Sequence, residues 1–448
     1  MKPEIKNELP GKNAKKWLTK DKKFISPSYT RVYPLVVERG EGVWVYDVDG
    51  NKFLDFNAGV AVLTLGHSHP EVIETALNQM KKLIHYSGTD FYYSSEIKLA
   101  EKLAEITPGA KNRKIFFSNS GAESVEAAIK LARYYTNRPY ILAFYGGFHG
   151  RTMGALSATA SKTIHRKRFF TLFYGTVHAP YPYCFRCPFN LKYPDCNFAC
   201  ISFIEENIFS RLVDPEEVAA FIIEPIQGEG GYIPAPENYF KELKKLIDKY
   251  GILLIVDEVQ SGMGRTGRFF AIEHYDVIPD IITLAKGIAS GFPLGACIAK
   301  SGIMNWPPGT HASTFGGNPV SCEVALKVIE KLENGLMEHV SSLGDKVLKD
   351  LEKWKEKYEI IGDVRGKGLM IGLEIVSDKK TLKKDKTKRD LIVQECFKKG
   401  LLILPAGENV LRICPPLIIK EEELYTGIEI LENVIKEVSY KPKKLNKT

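Results

Sequence analysis

No apolar run in this chain approaches the ~20 residues that a membrane-spanning helix needs, so no membrane association is expected. The opening stretch, MKPEIKNELPGKNAKKW, is polar and lacks the apolar core of a secretory signal, which predicts a cytoplasmic protein. Basic segments do occur, at DKKTLKKDKTKRD (378–390) and in the tail KPKKLNKT (441–448), and they supply much of the net charge of +8. Neither carries the interleaved aromatic residues that a groove for single-stranded nucleic acid requires. They read as a solvated loop and a frayed tail, and no nucleic-acid partner is expected. Internal repeats are absent.

What is present describes an ordinary globular chain. Its 448 residues, 44% hydrophobic and 26% charged, exceed what one hydrophobic core holds. Helical and strand patterns alternate. SSEIKLAEKLAEI and ESVEAAIKLARYY carry apolar residues at helical spacing, as does VIETALNQMKKLI. RKIFFSNS, YILAFYG, AAFIIEPI, GILLIVDEV and IITLAKG are short β-branched and aromatic runs closed by polar or glycine-rich turns. The alternation predicts an α/β fold with a mostly parallel sheet covered on both faces by helices. Beyond about residue 325 long charged helices surround RGKGLMIGLEIV and LLILPAGENVLRICPPLII, which predicts a smaller α+β domain. The expected organisation is an N-terminal segment, 1–70, contributing to the small domain, a large domain over 71–325, and a C-terminal small domain over 326–448.

Polar residues gather at the strand ends, where open α/β sheets bind ligands. Lys286 closes the apolar run IITLA and is followed by glycines at 287, 291 and 295. A lysine there either reaches water with its head group or is used. Asp257 follows the strand GILLIV directly. SNSGAES (118–124) leaves a strand and opens a helix, so it is either a plain N-cap at Ser120 or a phosphate cradle of backbone N–H groups. GMGRTG (262–267) has the form G-x-G-x-x-G, but polar residues separate it from the strand and RTGRFFA starts no helix. A nicotinamide site is therefore rejected. A phosphate cradle, a strand-end acid and a lysine together match one cofactor, pyridoxal 5′-phosphate. It has a phosphate, a ring nitrogen that works best protonated, and an aldehyde that condenses with a neutral amine.

At this point the sequence resembles the class III (ω-amino acid) aminotransferases of PLP fold type I, over roughly residues 25–435. The motifs occur in order: DGNKFLDFNAGVAV, GHSHPEV, SNSGAESVEAAIKLAR, GGFHGRT, IIEPIQGEGG, LIVDEVQSGMGRTG, LAKGIASGFPLGA, STFGGNP and LRICPPL. Within this family, the sequence looks most like the 4-aminobutyrate and ornithine/acetylornithine aminotransferases. The resemblance implies that Lys286 binds the cofactor aldehyde and then acts as general base. It implies that Ser120, Gly121 and Ala122 hold the phosphate, Phe148 and Val259 sandwich the ring, Asp257 pairs with the ring nitrogen, and Gln260 bonds the phenolic oxygen. Thr314 is implied to reach the phosphate across a homodimer interface, in a dimer or a dimer of dimers. Arg412 is implied to take an α-carboxylate, with Glu229 pairing it when an ω-amine enters. Arg151 is implied to take the distal carboxylate, with Glu224 nearby. The implied activity is ping-pong transfer of an amino group from an ω-amine or amino acid to 2-oxoglutarate. Amino-acid racemization on the same scaffold is the alternative. No metal is implied in catalysis. Cys184, Cys187, Cys196 and Cys200 cluster within 17 positions of the 184–200 insertion, a spacing open to a structural metal, to disulfides or to neither.

Overall fold

The computed structural model describes residues 1–109, 112–169 and 175–440. Seven strands make the principal sheet: β1 (Arg113–Ser118), β2 (Tyr140–Phe144), β3 (Thr176–Ala179), β4 (Val218–Ile223), β5 (Leu253–Asp257), β6 (Ile281–Leu284) and β7 (Gly295–Lys300). Their spatial order is β1-β7-β6-β5-β4-β2-β3. β7 runs antiparallel to both of its neighbours, and every other adjacent pair is parallel.

Side-chain alternation along β5 explains why its sequence is a continuous apolar run. Leu253 and Ile255 face the core built with Val125, Ala128 and Leu131 of helix Gly121–Thr136. Leu254 and Val256 face the opposite core, shared with Phe240, Leu243 and Ile247 of helix Tyr239–Lys249. With both faces covered, no strand position is left for a polar residue until the strand ends. β1, β2, β4, β5 and β6 all point the same way, so their C-terminal ends open onto one edge of the sheet. That edge receives Ser120, Phe148, Glu224, Asp257 and Lys286.

A second sheet joins Ile361–Lys367, Met370–Asp378, Val410–Ile413 and Leu404–Ala406 in antiparallel order. A third holds Val37–Glu41, Trp44–Asp47 and Lys52–Asp55, and Leu401–Leu402 adds to it in parallel. There the Leu54 N–H donates to the Gly400 carbonyl at 2.8 Å and the Phe56 N–H to Leu402 at 2.9 Å, tying the N-terminal chain to C-terminal elements. The mostly parallel, helix-covered sheet with a smaller α+β part is thus the architecture expected from the sequence.

Two local readings change. The helix expected over VIETALNQMKKLI spans Pro70–Met80. The segment 378–390 is only partly a solvated loop: Asp385 accepts from the Lys388 N–H at 2.9 Å and caps helix Lys386–Lys398, and Arg389 is buried. Lys386, Lys388, Arg389 and Asp390 of this run belong to the start of a helix whose Ile392, Val393, Cys396 and Phe397 are buried. The basic tail at 441–448 lies outside the described residues. Among those residues no helix is long and apolar enough to cross a membrane.

Candidate active site

A cavity of about 390 Å³ opens at the shared edge of the parallel strands. Ser120, Gly121, Ala122, Phe148, Arg151, Glu224, Asp257, Val259, Gln260 and Lys286 all line it. Glu229, Arg412 and Thr314 do not.

Ser120 leaves β1 in an extended conformation, and its Oγ accepts from the Glu123 N–H at 3.3 Å. Glu123 Oε2 accepts in turn from the Asn119 N–H at 2.8 Å, which fixes the turn. Helix geometry leaves the first N–H groups without intrahelical partners, and those of Gly121 and Ala122 have no acceptor among the described residues. The cap and the anion cradle are therefore one structure: the cap holds the turn, and the free donors sit at the positive helix end.

Asp257 ends β5 inside a full set of donors. Oδ1 accepts from the Val259 N–H at 3.0 Å and from Thr283 Oγ1 at 3.1 Å, while Oδ2 lies 2.7 Å from His149 Nδ1. Because the carboxylate accepts, Nδ1 carries the proton of that bond. Burial works against an imidazolium at His149, but the hydrogen bond and charge of Asp257 outweigh it and raise the His149 pKa. Sequence reasoning gave His149 no role. Its place beside Phe148 in GGFHGRT is a weak signal, since the partner stands 108 residues away.

Lys286 sits at the mouth of β6 with φ of +46°, a conformation a lysine adopts only when its surroundings impose it. Withdrawal from water lowers its pKa, against the pull of Glu229, Asp257 and Glu224. The cavity therefore makes the amine easier to deprotonate than an exposed lysine. Gln260 is buried, and its Oε1 has no hydrogen-bond partner among the described residues.

Glu224 accepts from the Phe148 N–H through Oε1 and from the Gly228 N–H through Oε2, both at 2.8 Å. Both oxygens are thus engaged by backbone, and burial still pushes the carboxyl up to about 7. Arg151 is exposed, its guanidinium 5.6 Å from the Phe148 ring centroid. Beyond the cavity wall, Arg412 Nη1 donates to Glu229 Oε1 at 2.7 Å. Burial alone would raise the Glu229 pKa, but Arg412, then Lys162, bring it down to about 2. This pair lies within electrostatic reach of the Lys286 amine. Thr314 is exposed on the surface of its own chain. The four clustered cysteines are free thiols lining one small cavity, and among the described residues no group of three or more His, Cys, Asp or Glu could hold a metal ion.

The family model for class-III aminotransferases matches residues 24–435. An alanine/serine racemase of Pyrococcus horikoshii is 40% identical over 446 residues, covering 97% of this chain and 93% of that one. An acetylornithine aminotransferase of Archaeoglobus fulgidus is 42% identical over 419 residues, covering 93% of this chain and 100% of that one. Among solved structures, an amine transaminase from an uncultivated Pseudomonas species, in a PLP-bound form, superposes with a TM-score of 0.87 at 32% identity. It covers 93% of this chain and 99% of that one.

Proposed function

The chain belongs to the class-III aminotransferase family, and from that premise we propose that it moves an amino group from an ω-amine or amino acid of the 4-aminobutyrate/ornithine type to 2-oxoglutarate. Pyridoxal 5′-phosphate is the cofactor of this family, and the cavity fits it. The open N–H groups of Gly121 and Ala122 suit the phosphate, the unpartnered Gln260 Oε1 suits a phenolic hydroxyl, and a lysine with a lowered pKa suits an aldehyde. When bound, this cofactor supplies a carbonyl that takes up the amino group and a ring that accepts the electron pair released at the substrate carbon.

The chain's own part in the reaction is to place charges and one proton. Asp257, held by Thr283, Val259 and His149, would present a fixed carboxylate to the ring nitrogen and keep its proton in place. Phe148 and Val259, both lining the cavity, would hold the ring between them. Lys286 Nζ, its pKa lowered by burial, would take the proton at the reacting carbon and return it at the cofactor's aldehyde carbon, two atoms away across the amino nitrogen. Arg151 faces the distal carboxylate from the cavity rim.

The observation that carries the substrate assignment is the Arg412–Glu229 pair. Glu229 engages a single guanidinium nitrogen, so Arg412 keeps free donors for a carboxylate, and the pair can open or stay shut. Shut, it presents a neutral surface to an ω-amine; open, it binds the α-carboxylate of a keto acid. Arg412→Ala is expected to damage the half-reaction with 2-oxoglutarate most, and Glu229→Ala the half-reaction with ω-amines. Stopped-flow measurement of each half-reaction checks this, and equal losses in both for both variants would contradict it.

A homodimer belongs to the same proposal. Exposed Thr314 stands beside exposed Phe315, near exposed Ile84, Tyr86, Phe91 and Tyr92, an apolar surface that a partner subunit could cover. One finding favours a second reading: a relative 40% identical along nearly the whole chain is named a racemase. Loss of optical purity of an amino acid incubated without any keto acid would identify that activity.

A further inference from the structure

Glu229 stands between two cations. Arg412 Nη1 donates to Oε1 at 2.7 Å, and Lys162 Nζ lies 3.6 Å from Oε2. Among the described residues Lys162 has no other carboxylate within ion-pair distance. It comes from the turn before helix Thr163–Arg166, whereas Arg412 lies in the inner strand Val410–Ile413 of the second sheet, so neither depends on the other for its place. The backbone of Glu229 is pinned on both sides. The preceding Gly228 N–H donates to Glu224, and the Glu229 carbonyl accepts from the Gly407 N–H at 2.8 Å. Only the side chain is left to turn.

Exposure rises in one direction across this triad: 8% for the Arg412 side chain, 18% for Glu229 and 34% for Lys162. A carboxylate that leaves Arg412 for Lys162 therefore moves toward water. The charges count the same way. Two cations and one carboxylate leave a surplus of one positive charge, which a substrate α-carboxylate neutralises. Without Lys162, two carboxylates would share a single guanidinium, and the displaced one would be partly buried with no counter-charge.

We propose that Lys162 is the seat onto which Glu229 turns when an α-carboxylate takes Arg412. It is thus a positioning residue that sets the balance between ω-amine and α-keto acid substrates. The assignment rests on the dual-substrate reading of Arg412 and Glu229 given above.

The test uses the holoenzyme with Lys162→Met and Lys162→Arg. Glutarate, a dicarboxylate that cannot react, is titrated calorimetrically, and both half-reactions are followed by stopped flow. Lys162→Met is expected to weaken glutarate binding and raise the keto-acid KM about fivefold or more, the scale of an ordinary coupling between neighbouring sites. The ω-amine half-reaction should change far less. Lys162→Arg should restore glutarate binding, and in a Glu229→Ala background Lys162→Met should have no further effect, because no side chain remains to be seated. Unaltered glutarate binding in Lys162→Met, an equal loss in both half-reactions, or a full Lys162→Met effect persisting in the Glu229→Ala background would overturn the proposal. Arg412→Ala and Glu229→Ala run alongside separate the two levels. If those variants split the half-reactions while Lys162→Met does not, only the seat is wrong. If they do not split them, the dual-substrate reading falls and the seat with it.

Discussion

Lys286 and Asp257 differ in what they ask of their surroundings, and their substitutions should differ accordingly. Lys286 needs withdrawal from water, which lowers its pKa and shifts it toward the neutral amine. Lys286→Ala is expected to give a folded protein that retains the cofactor through the phosphate cradle but does not turn over. After borohydride reduction the cofactor should be found on the peptide bearing residue 286 in the natural protein and on no lysine of the variant. Asp257 needs its charge, not its shape. Asp257→Asn leaves an oxygen to accept from His149 but no longer holds a proton on the ring nitrogen, so kcat should fall by ~10² or more. Weakened cofactor binding with unchanged kcat at saturation would mark this aspartate as structural. Next to it, Glu258 gives a pH signature. Burial outweighs its bonds from Ser261 and the Ile272 N–H and lifts its pKa from 4.5 to about 7. The folded state then keeps a proton that the unfolded chain has released, so stability falls as pH rises from 4.5 to 7 and stays lower above that. Glu258→Gln can keep both bonds without the charge. Its stability relative to the natural protein should rise by about 3 kcal/mol between pH 4 and pH 8, read from denaturation midpoints at the two pH values.

Elements meet at this site through close backbone approach, and the glycine that opens the helix after β1 shows it. A Cβ on Gly121 would stand 2.7 Å from Val259 Cγ1, and β-branched Val259 has little freedom to turn aside. Gly121→Ala should press Val259 into the cofactor cavity and weaken PLP binding severalfold, measured by absorbance titration, with the fold retained. Unchanged affinity would mean that the helix, rather than Val259, gives way. These contacts also show what could be read from sequence. The strand ends were legible because both sheet faces are buried, so the first polar residue after each apolar run marks the open edge; Asp257 and Lys286 stand out for that reason. His149 and Lys162 were not legible. Their significance comes from Asp257 and Glu229, partners brought by β5 and by the loop after β4, and no local pattern encodes such a meeting. The first turn of helix Lys386–Lys398 reads as loop because its five leading residues are charged or polar, and the apolar face begins only at Leu391.

The whole molecule presents a surface that its own chain leaves uncovered. Tyr92 is 95% exposed, and Phe315 beside Thr314 is exposed as well. On the proposed dimer, Tyr92→Glu with Phe315→Glu should shift the protein to monomer in sedimentation velocity and lower its cofactor content, because Thr314 would then reach no partner's phosphate site. A dimer that persists in the double variant would remove this surface from the account. The central claim is that amino groups are transferred in two separable halves at Lys286, and one measurement addresses it directly. Holoenzyme is mixed with each of a panel of ω-amines, 4-aminobutyrate and ornithine included, in the absence of any keto acid, and carbonyl product is quantified per active site. The expected result is one equivalent for at least one donor, with further product only after 2-oxoglutarate is added. No carbonyl product from any donor, alongside loss of optical purity in L-alanine or L-leucine under the same conditions, would contradict it.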